Sequence, residues 1–254
     1  MTQREKAEEL RRLHAAPEPL VLVNAWDAVS ARVVADAGAR AIATASWSIA
    51  AARGYEDGEQ IPLDEMLDSV RVVARAVDLP VTADLERGFG DAGATVARAI
   101  EAGAVGCNLE DSDGSGALVP VDAHVAAVAA ARAAGEAAGV PVVINARTDV
   151  FLQGLEFDEA VERARAYLGA GADVVFVPGV SDVETLEQLV IKIRGPISVF
   201  GGAGGPKLDD LARLGIPRVS YGPGPLGVAM AALSRAAKGL LGGGDPPPEL
   251  ANRP

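Results

Sequence analysis

Acidic residues stand at the ends of two apolar runs, in a pattern suited to metal chemistry. Asp84 and Glu86 follow the run Val81–Ala83, and Glu110 follows the run Val105–Leu109. Residues two apart on an extended chain point the same way, so the first two carboxylates are expected to lie together. Carboxylates packed closely are costly unless a cation neutralises them or one of them is protonated. Oxygen ligands alone favour a hard ion such as Mg²⁺.

Other polar residues follow the remaining apolar runs. Asp57 lies in the loop after the second run, and Arg147 follows the run Val142–Asn145. A planar guanidinium suits a carboxylate or a developing oxyanion. The alternative for Arg147 is a structural ion pair with Asp149 or with the acids themselves. Any one of these acids alone would be interpreted as a solvated loop charge, whereas their occurrence at successive run ends favours a metal site.

Eight short apolar runs must position these residues. They are rich in Val and Ile and too short for helices, which predicts strands buried on both faces of a parallel sheet. The runs are Leu20–Val23, Ala41–Thr44, Val81–Ala83, Val105–Leu109, Val142–Asn145, Val174–Val177, Ile197–Phe200 and Arg218–Tyr221. Apolar residues at three- and four-residue steps predict helices between them. Those segments include Asp64–Val77, Ala92–Glu101, Asp122–Ala138, Asp158–Leu168 and Val183–Ile193.

Glycines recur just before these predicted strands, as they do where a helix ends in a left-handed residue. They are Gly38, Gly103, Gly139, Gly171 and Gly215. Eight such strand–helix units predict a (β/α)₈ TIM-type barrel, with a doubly wound open sheet as the alternative. We expect one barrel domain over residues 1–241 that includes an N-terminal helix. A loosely held Gly- and Pro-rich tail is expected over residues 242–254.

The composition excludes several classes of partner. The chain has 254 residues, of which 49% are apolar, and a formal net charge of −12. This acid excess argues against nucleic acid and anionic membranes. The single cysteine, Cys107, lies inside an apolar run and is expected in the core, which suits a reducing compartment. The polar N-terminal segment carries no signal-like apolar stretch, so the cytoplasm is the expected location.

Three segments carry a resemblance to a known family. TADLERGFGD, GCNLEDS and NARTDVFL are similar to sequences of the isocitrate lyase and phosphoenolpyruvate mutase superfamily, and the similarity runs from about Asn24 to Met230. The resemblance implies a (β/α)₈ barrel that uses Mg²⁺ to make or break C–C or P–C bonds beside a carboxylate, through an enolate. It also implies a homo-oligomer, a dimer or tetramer in which the last helix is exchanged between copies.

The resemblance also assigns roles to individual residues. Asp84 matches the acid that binds Mg²⁺ most directly, while Asp57, Glu86 and Glu110 match the acids that hold its waters. Arg147 matches the arginine that contacts the substrate oxygen, and Arg147 and Glu110 are taken as the catalytic residues. The residues expected to bind a small carboxylate substrate are Ala45, Ser46, Trp47, Asp84, Asn108 and Arg147.

Two departures leave the reaction open. The lyases carry a mobile loop with Lys, Cys and His after the Glu-Asp pair, where this chain has DSDGSGALVP, and Gly179 replaces a glutamate of the lyases. The leading hypothesis is a Mg²⁺-dependent lyase that cleaves a C–C bond in a small 2-hydroxy or 2-oxo carboxylic acid. The alternatives are a phosphonomutase of the phosphoenolpyruvate or carboxyphosphonoenolpyruvate type, and an oxaloacetate decarboxylase or hydrolase. A barrel that binds an oxo acid without catalysis is a further alternative. The proton donor stays open between Tyr221, a water molecule and the loop 111–119.

Overall fold

A computed structural model describes residues 1–251, and its nine strands all pair in parallel. The Val- and Ile-rich runs form them as predicted, because side chains buried on both faces suit a sheet covered by helices. The strands are β1 Leu20–Leu22, β2 Asn24–Ala25, β3 Ile42–Thr44, β4 Val81–Asp84, β5 Gly106–Glu110, β6 Val143–Arg147, β7 Val174–Phe176, β8 Ile197–Phe200 and β9 Arg218–Ser220.

Helices follow the strands and cover the sheet with their apolar faces. In α4, for example, Met66, Val70 and Val73 are buried at three- and four-residue steps. The helices are α1 Gln3–His14, α2 Ala28–Asp36, α3 Ser46–Arg53, α4 Leu63–Ala76, α5 Ala92–Glu101, α6 Val121–Ala137, α7 Phe157–Gly169, α8 Val183–Ile193, α9 Leu208–Arg213 and α10 Gly224–Leu241. None of them is long and apolar enough to cross a membrane, as far as residues 1–251 are concerned.

The sheet closes on itself through its first run, which confirms the predicted (β/α)₈ barrel. The strand predicted at Leu20–Val23 ends at Leu22 and pairs with β9, and a second short strand that was not predicted, β2, follows Val23 and pairs with β3. Asn24 joins the two sides, because its amide nitrogen donates to the Thr44 carbonyl at 2.8 Å while its amide oxygen accepts from the Tyr221 N–H at 3.0 Å. Buried hydrogen bonds of this kind fix the closure of the barrel mouth.

The glycines before the strands behave as predicted. All five have a positive φ, from 66° at Gly139 to 108° at Gly171. A residue with a Cβ is strained in this conformation, whereas glycine closes the helix and redirects the chain into the next strand without that cost. This repeated turn explains how a regular strand–helix alternation arises from a sequence with few other repeated features.

α1 closes the N-terminal end of the barrel. Its side chains Ala7, Leu10 and Leu13 are buried, and Leu10 lies so close to β5 that a Cβ on Gly106 would approach its Cδ2 to 2.8 Å. Cys107 is buried beside it as predicted, and burial raises the pKa of its thiol to about 12. The opposite end, where the strands finish, is therefore left for a functional site.

The C-terminal tail is described only in part. Residues Pro248–Ala251 form a short 3₁₀ helix, and residues 252–254 of the predicted tail lie outside the described residues. The division into a barrel and a loosely held tail stays a prediction.

Candidate active site

A cavity of about 400 Å³ lies at the C-terminal ends of the strands. Seven of the nine residues predicted from the sequence line it: Ala45, Ser46, Trp47, Asp57, Asp84, Asn108 and Arg147. The other two, Glu86 and Glu110, lie directly behind this lining, where Glu110 pairs with Arg147 at 2.7 Å. The barrel therefore brings the predicted residues to one end of the fold.

Asp84 is fixed by the first turn of α3. Its Oδ2 accepts hydrogen bonds from both N and Oγ of Ser46, each at 3.0 Å. The residue before the helix is Ala45, which has no side-chain oxygen to cap the helix, so Asp84 takes this role from the neighbouring strand. Ser46 is predicted to bind a small carboxylate substrate, and in this structure its backbone N–H already donates to Asp84.

Glu86 reaches the cluster by a route that the sequence argument did not foresee. The prediction assumed an extended chain from Asp84 to Glu86, whereas Glu86 has a φ of 50°. Its buried Oε2 accepts from the Glu59 N–H at 2.5 Å. The Glu59 carboxylate in turn accepts from the backbone of Phe89 at 2.7 Å and pairs with Arg87 at 2.8 Å. These reciprocal bonds interlock the loop around Asp57 with the loop after β4.

Burial and neighbouring negative charges raise the pKa values of three of the clustered carboxylates. Burial, followed by the charges of Asp84 and Asp57, raises the pKa of Glu86 to about 8. Burial raises the pKa of Glu110 to about 7, against the opposing effect of Arg147. Burial and the Asp84 charge also raise the pKa of Asp57. Such shifts mark a place where a cation or protons must offset negative charge.

These residues fit a Mg²⁺ ion that keeps most of its waters. Within residues 1–251, no three His, Cys, Asp or Glu side chains come close enough together to form a direct ligand set. Mg²⁺ in proteins is held by one or two carboxylates plus waters. A site in which Asp84 binds the ion directly, and Asp57, Glu86 and Glu110 bind its water molecules, matches this chemistry. The buried Oε1 of Glu86 has no hydrogen-bond partner, as expected of an oxygen that a metal-bound water would satisfy.

Arg147 combines the two interpretations that the sequence left open. It lines the cavity, and it also pairs with acids on both sides. Its Nη1 lies 2.7 Å from Glu110, and its Nε and Nη2 donate to the two oxygens of Asp149 at 2.5 and 3.0 Å. Although burial acts against the charged form, Glu110 and Asp149 raise the pKa of Arg147 above its ordinary value. The guanidinium is thus a permanent cation in a fixed orientation.

Comparison with known proteins decides the family. The sequence model of the family described as phosphoenolpyruvate phosphomutase matches residues 10–241. The chain belongs to this phosphoenolpyruvate phosphomutase family. An oxaloacetate decarboxylase from a Bradyrhizobium species is 32% identical over 97% of this chain and 88% of its own. A 2-methylisocitrate lyase from Bacillus subtilis is 28% identical over 87% of this chain and 76% of its own.

A solved structure extends this comparison. A candidate phosphonomutase from Burkholderia cenocepacia is 47% identical, covers 93% of this chain and 98% of its own, and superposes with a TM-score of 0.88. The three relatives are named as a decarboxylase, a lyase and a phosphonomutase, which indicates that the chain is an enzyme of the lyase or mutase type. The resemblance noted in the sequence is confirmed.

Sequence reasoning missed a buried brace behind Arg147. Asp111 is fully buried, and its Oδ1 accepts from the Asp149 N–H at 2.9 Å. Its Oδ2 accepts from Tyr167 at 2.6 Å and from Arg163 at 3.2 Å, both on α7. The brace thereby fixes the segment that orients Arg147. A signal was available, because Arg163 falls among the apolar positions of α7, where an unpaired charge would be costly.

A second missed group lies inside the barrel below the site. Arg218 is fully buried, and its Nη2 donates to Asn108 Oδ1 at 3.0 Å. The same oxygen accepts from Asn145 Nδ2 at 2.9 Å. With its oxygen engaged twice, Asn108 presents its amide nitrogen as the remaining polar group. This orientation makes Asn108 a hydrogen-bond donor toward the cavity.

Two of the candidate proton donors lie elsewhere. The residues that line the cavity include neither Tyr221 nor any member of the loop 111–119. Tyr221 lines a separate groove beside α2 and α10. The loop forms a compact turn in which Asp113 Oδ1 accepts from Ser115 N at 2.8 Å and Ala117 N at 3.0 Å. The mouth of the site is consequently not covered by this loop.

The raised pKa values predict how stability depends on pH in metal-free protein. The folded state binds protons at Glu86 and Glu110 more tightly than the unfolded state does, so their stabilising contribution is present at acidic pH. It is lost as pH rises from their ordinary pKa of 4.5 through their folded pKa values, which are about 8 for Glu86 and about 7 for Glu110. We expect the Tm in EDTA to fall between about pH 4.5 and pH 8, and Glu86→Gln to flatten this fall.

Thermal unfolding of the wild type, Glu86→Gln and the surface variant Glu136→Gln at several pH values checks this expectation. Glu136→Gln should retain the wild-type slope, and added Mg²⁺ should raise the Tm of the wild type more at alkaline than at acidic pH. Identical slopes in all three proteins would show that Glu86 is ionised in the metal-free state.

Proposed function

We propose that this protein is a Mg²⁺-dependent lyase that cleaves a C–C bond in a small 2-hydroxy or 2-oxo carboxylic acid through an enolate. The observation that carries the proposal is the convergence of four carboxylates and one fixed arginine at a single cavity. The carboxylates are Asp57, Asp84, Glu86 and Glu110, and the arginine is Arg147. An anionic substrate would otherwise be repelled from a site this acidic in a chain of net charge −12.

Each side chain has a distinct task in this proposal. Asp84 would hold the metal directly, and Asp57, Glu86 and Glu110 would hold its waters. When bound, Mg²⁺ supplies positive charge beside the oxygen on which negative charge develops. The Arg147 guanidinium faces the same cavity and stabilises that oxygen from the protein side. Because Glu110 and Asp149 fix its fork, little reorganisation is needed as charge develops.

Water is the proposed proton carrier. Among the described residues that line the cavity, the only charged side chains are Asp57, Asp84 and Arg147, and each already has a task. For a 4-hydroxy-2-oxo acid, water takes the proton of the 4-hydroxyl group as the C3–C4 bond breaks. The bonding electrons form the enolate of the 2-oxo acid, which regains a proton at C3, and the 4-carbon leaves as a carbonyl compound.

A phosphonomutase is the second candidate, favoured by the 47% identity to the Burkholderia cenocepacia protein. A transferred phosphoryl group needs cations around its oxygens. In this chain no Lys or Arg occurs between Arg98 and Arg132, a stretch that includes the loop after β5. Among the described lining residues, Arg147 is the only cation. The lyase is therefore preferred, with oxaloacetate decarboxylation or hydrolysis as a related reaction of the same site.

The reaction type is tested with a substrate panel. Purified protein with Mg²⁺ is incubated with oxaloacetate, isocitrate, 2-methylisocitrate, 2,3-dimethylmalate, 4-hydroxy-2-oxo acids and phosphonopyruvate, and products are followed by proton and phosphorus NMR. We expect C–C cleavage of at least one carboxylic acid and no change in the phosphorus spectrum. Conversion of phosphonopyruvate alone would establish the mutase instead.

A variant of Arg147 tests its role in the reaction. Arg147→Lys keeps the positive charge but loses the planar pair of N–H donors, and should lower kcat by about 100-fold.

We also propose that the protein is a homo-oligomer. The helix after the last strand of a barrel normally covers the sheet, yet within the described chain α10 buries only Leu226. Beside α2 the barrel carries an apolar groove of about 850 Å³, lined by Val29, Val33 and Val228 among others. Val228 and Leu233 of α10 are 73% and 61% exposed. Exposed apolar surface of this extent is typical of an interface, and a second copy supplies a matching helix and groove.

The oligomer is tested by placing charge on α10. Val228→Glu with Leu233→Glu should convert a dimer or tetramer to a monomer, because a carboxylate in an apolar interface loses its hydration without a partner. Multi-angle light scattering after size exclusion gives the mass. Val72→Glu introduces the same charge at an exposed valine on α4. It is the control and should keep the wild-type mass. A wild type that runs as a monomer would contradict the proposal.

A further inference from the structure

The cavity at the strand ends is divided into a polar half and an apolar half. Among the charged lining residues, Asp57 lies between β3 and β4, and Asp84 and Arg147 are the last residues of β4 and β6. The large uncharged side chains of the lining are apolar, namely Trp47, Leu152, Phe176, Pro178, Phe200 and Pro223. Four of these belong to β7, β8 and β9 or to the loops after them, and these strands are neighbours in the sheet. One continuous side of the mouth is therefore largely apolar, and Ser220 of β9 is the one polar side chain of the described lining on it.

The apolar half offers no cation to pair with a second negative charge on a substrate. Arg147 is the only cation among the described lining residues, and its nitrogens already contact Glu110 and Asp149. No charged side chain from β7, β8 or β9, or from the loops after them, belongs to this lining, and Ser220 is its one polar side chain there. A carboxylate placed there would lose water and gain at most this one hydroxyl donor, which is costly.

The size of the cavity leaves room for a substituent on this side. At about 30 Å³ for each water-sized unit, a volume of about 400 Å³ holds about 13 such units. The carboxylate and carbonyl of a 2-oxo acid use only part of this space beside the acids. Trp47 and Leu152 are both largely exposed at the mouth, and covering apolar side chains of this kind with an apolar ligand group is favourable.

We propose that the substrate carries an uncharged, apolar group, such as a branched alkyl chain or a ring, at the end remote from its carboxylate. The 2-oxo or 2-hydroxy acid end lies against Asp84 and Arg147, and the apolar end lies against the side formed by β7, β8 and β9. This inference rests on the proposed function, since it assigns the acid end to the acid cluster. It distinguishes the site from one that is built for a dicarboxylate or tricarboxylate.

A matched pair of ligands tests the proposal. The compounds 2-oxoglutarate and 5-methyl-2-oxohexanoate are identical up to C4, after which one carries a carboxylate and the other an isopropyl group. Binding of both to the full chain is measured by calorimetry in saturating MgCl₂. We expect the isopropyl compound to bind at least about tenfold more tightly. Removing its isopropyl group from water is favourable, whereas removing the second carboxylate of 2-oxoglutarate from water is unfavourable.

Two neighbouring leucines provide a matched pair of variants. Leu152 lines the cavity and is 52% exposed, whereas Leu155, three residues further on, is 42% exposed and does not line it. Leu152→Arg places a cation in the apolar half and should shift the ratio of the two affinities toward 2-oxoglutarate by at least about tenfold. Leu155→Arg adds the same charge outside the cavity and should leave the ratio unchanged.

The outcomes separate the two levels of the account. If 2-oxoglutarate binds the wild type as tightly as its isopropyl analogue or more tightly, the proposed substrate class is wrong while oxo-acid binding stands. If neither compound binds, the proposed function fails and the substrate class fails with it. If Leu152→Arg and Leu155→Arg give the same ratio, the apolar half does not receive the remote end of the ligand.

Discussion

The mutual repulsion of four carboxylates at the mouth of the barrel is the constraint on which the site depends. Asp57, Asp84, Glu86 and Glu110 are drawn together against their charge, and burial adds to the cost. A folded chain maintains such an arrangement only where something offsets the charge. A hard cation and the Arg147 guanidinium are the partners whose chemistry matches these oxygens.

The supporting structure follows from this requirement. Asp84 is fixed by capping α3, and Glu86 is fixed by a loop that interlocks with the loop around Asp57. Arg147 is braced by Asp149, which is held by the buried Asp111. The stability of the regular barrel offsets the unfavourable free energy of these irregular loops. The barrel is closed at one end by α1, and Asn24 joins its strands at the mouth. Rigid elements thus carry the loops that carry the chemistry.

The sequence predicted the regular part of this arrangement well, because local physics determines it. The period of apolar residues predicted α5 at Ala92–Glu101 and α8 at Val183–Ile193, with the bounds that the structure has. The site residues were predicted because strand ends in a parallel barrel meet at one mouth. The approach of Asp84 to Glu86 was expected for the wrong reason, since the backbone turns at Glu86 instead of remaining extended. The Asp111–Arg163–Tyr167 brace was missed because it joins residues about 50 positions apart, whose contact only the packing of α7 creates.

The most direct test of the account is a calorimetric titration of Mg²⁺ into wild-type protein, Asp84→Asn and Asp91→Asn. Asp84 and Asp91 both cap a helix, and asparagine keeps that capping ability, so the pair isolates the charge of Asp84. We expect one Mg²⁺ to bind per chain in the wild type and in Asp91→Asn. In Asp84→Asn we expect the affinity for Mg²⁺ to be at least about 100-fold lower. Equal Mg²⁺ affinity in all three proteins would contradict the claim that the acid cluster is a cation site organised by Asp84.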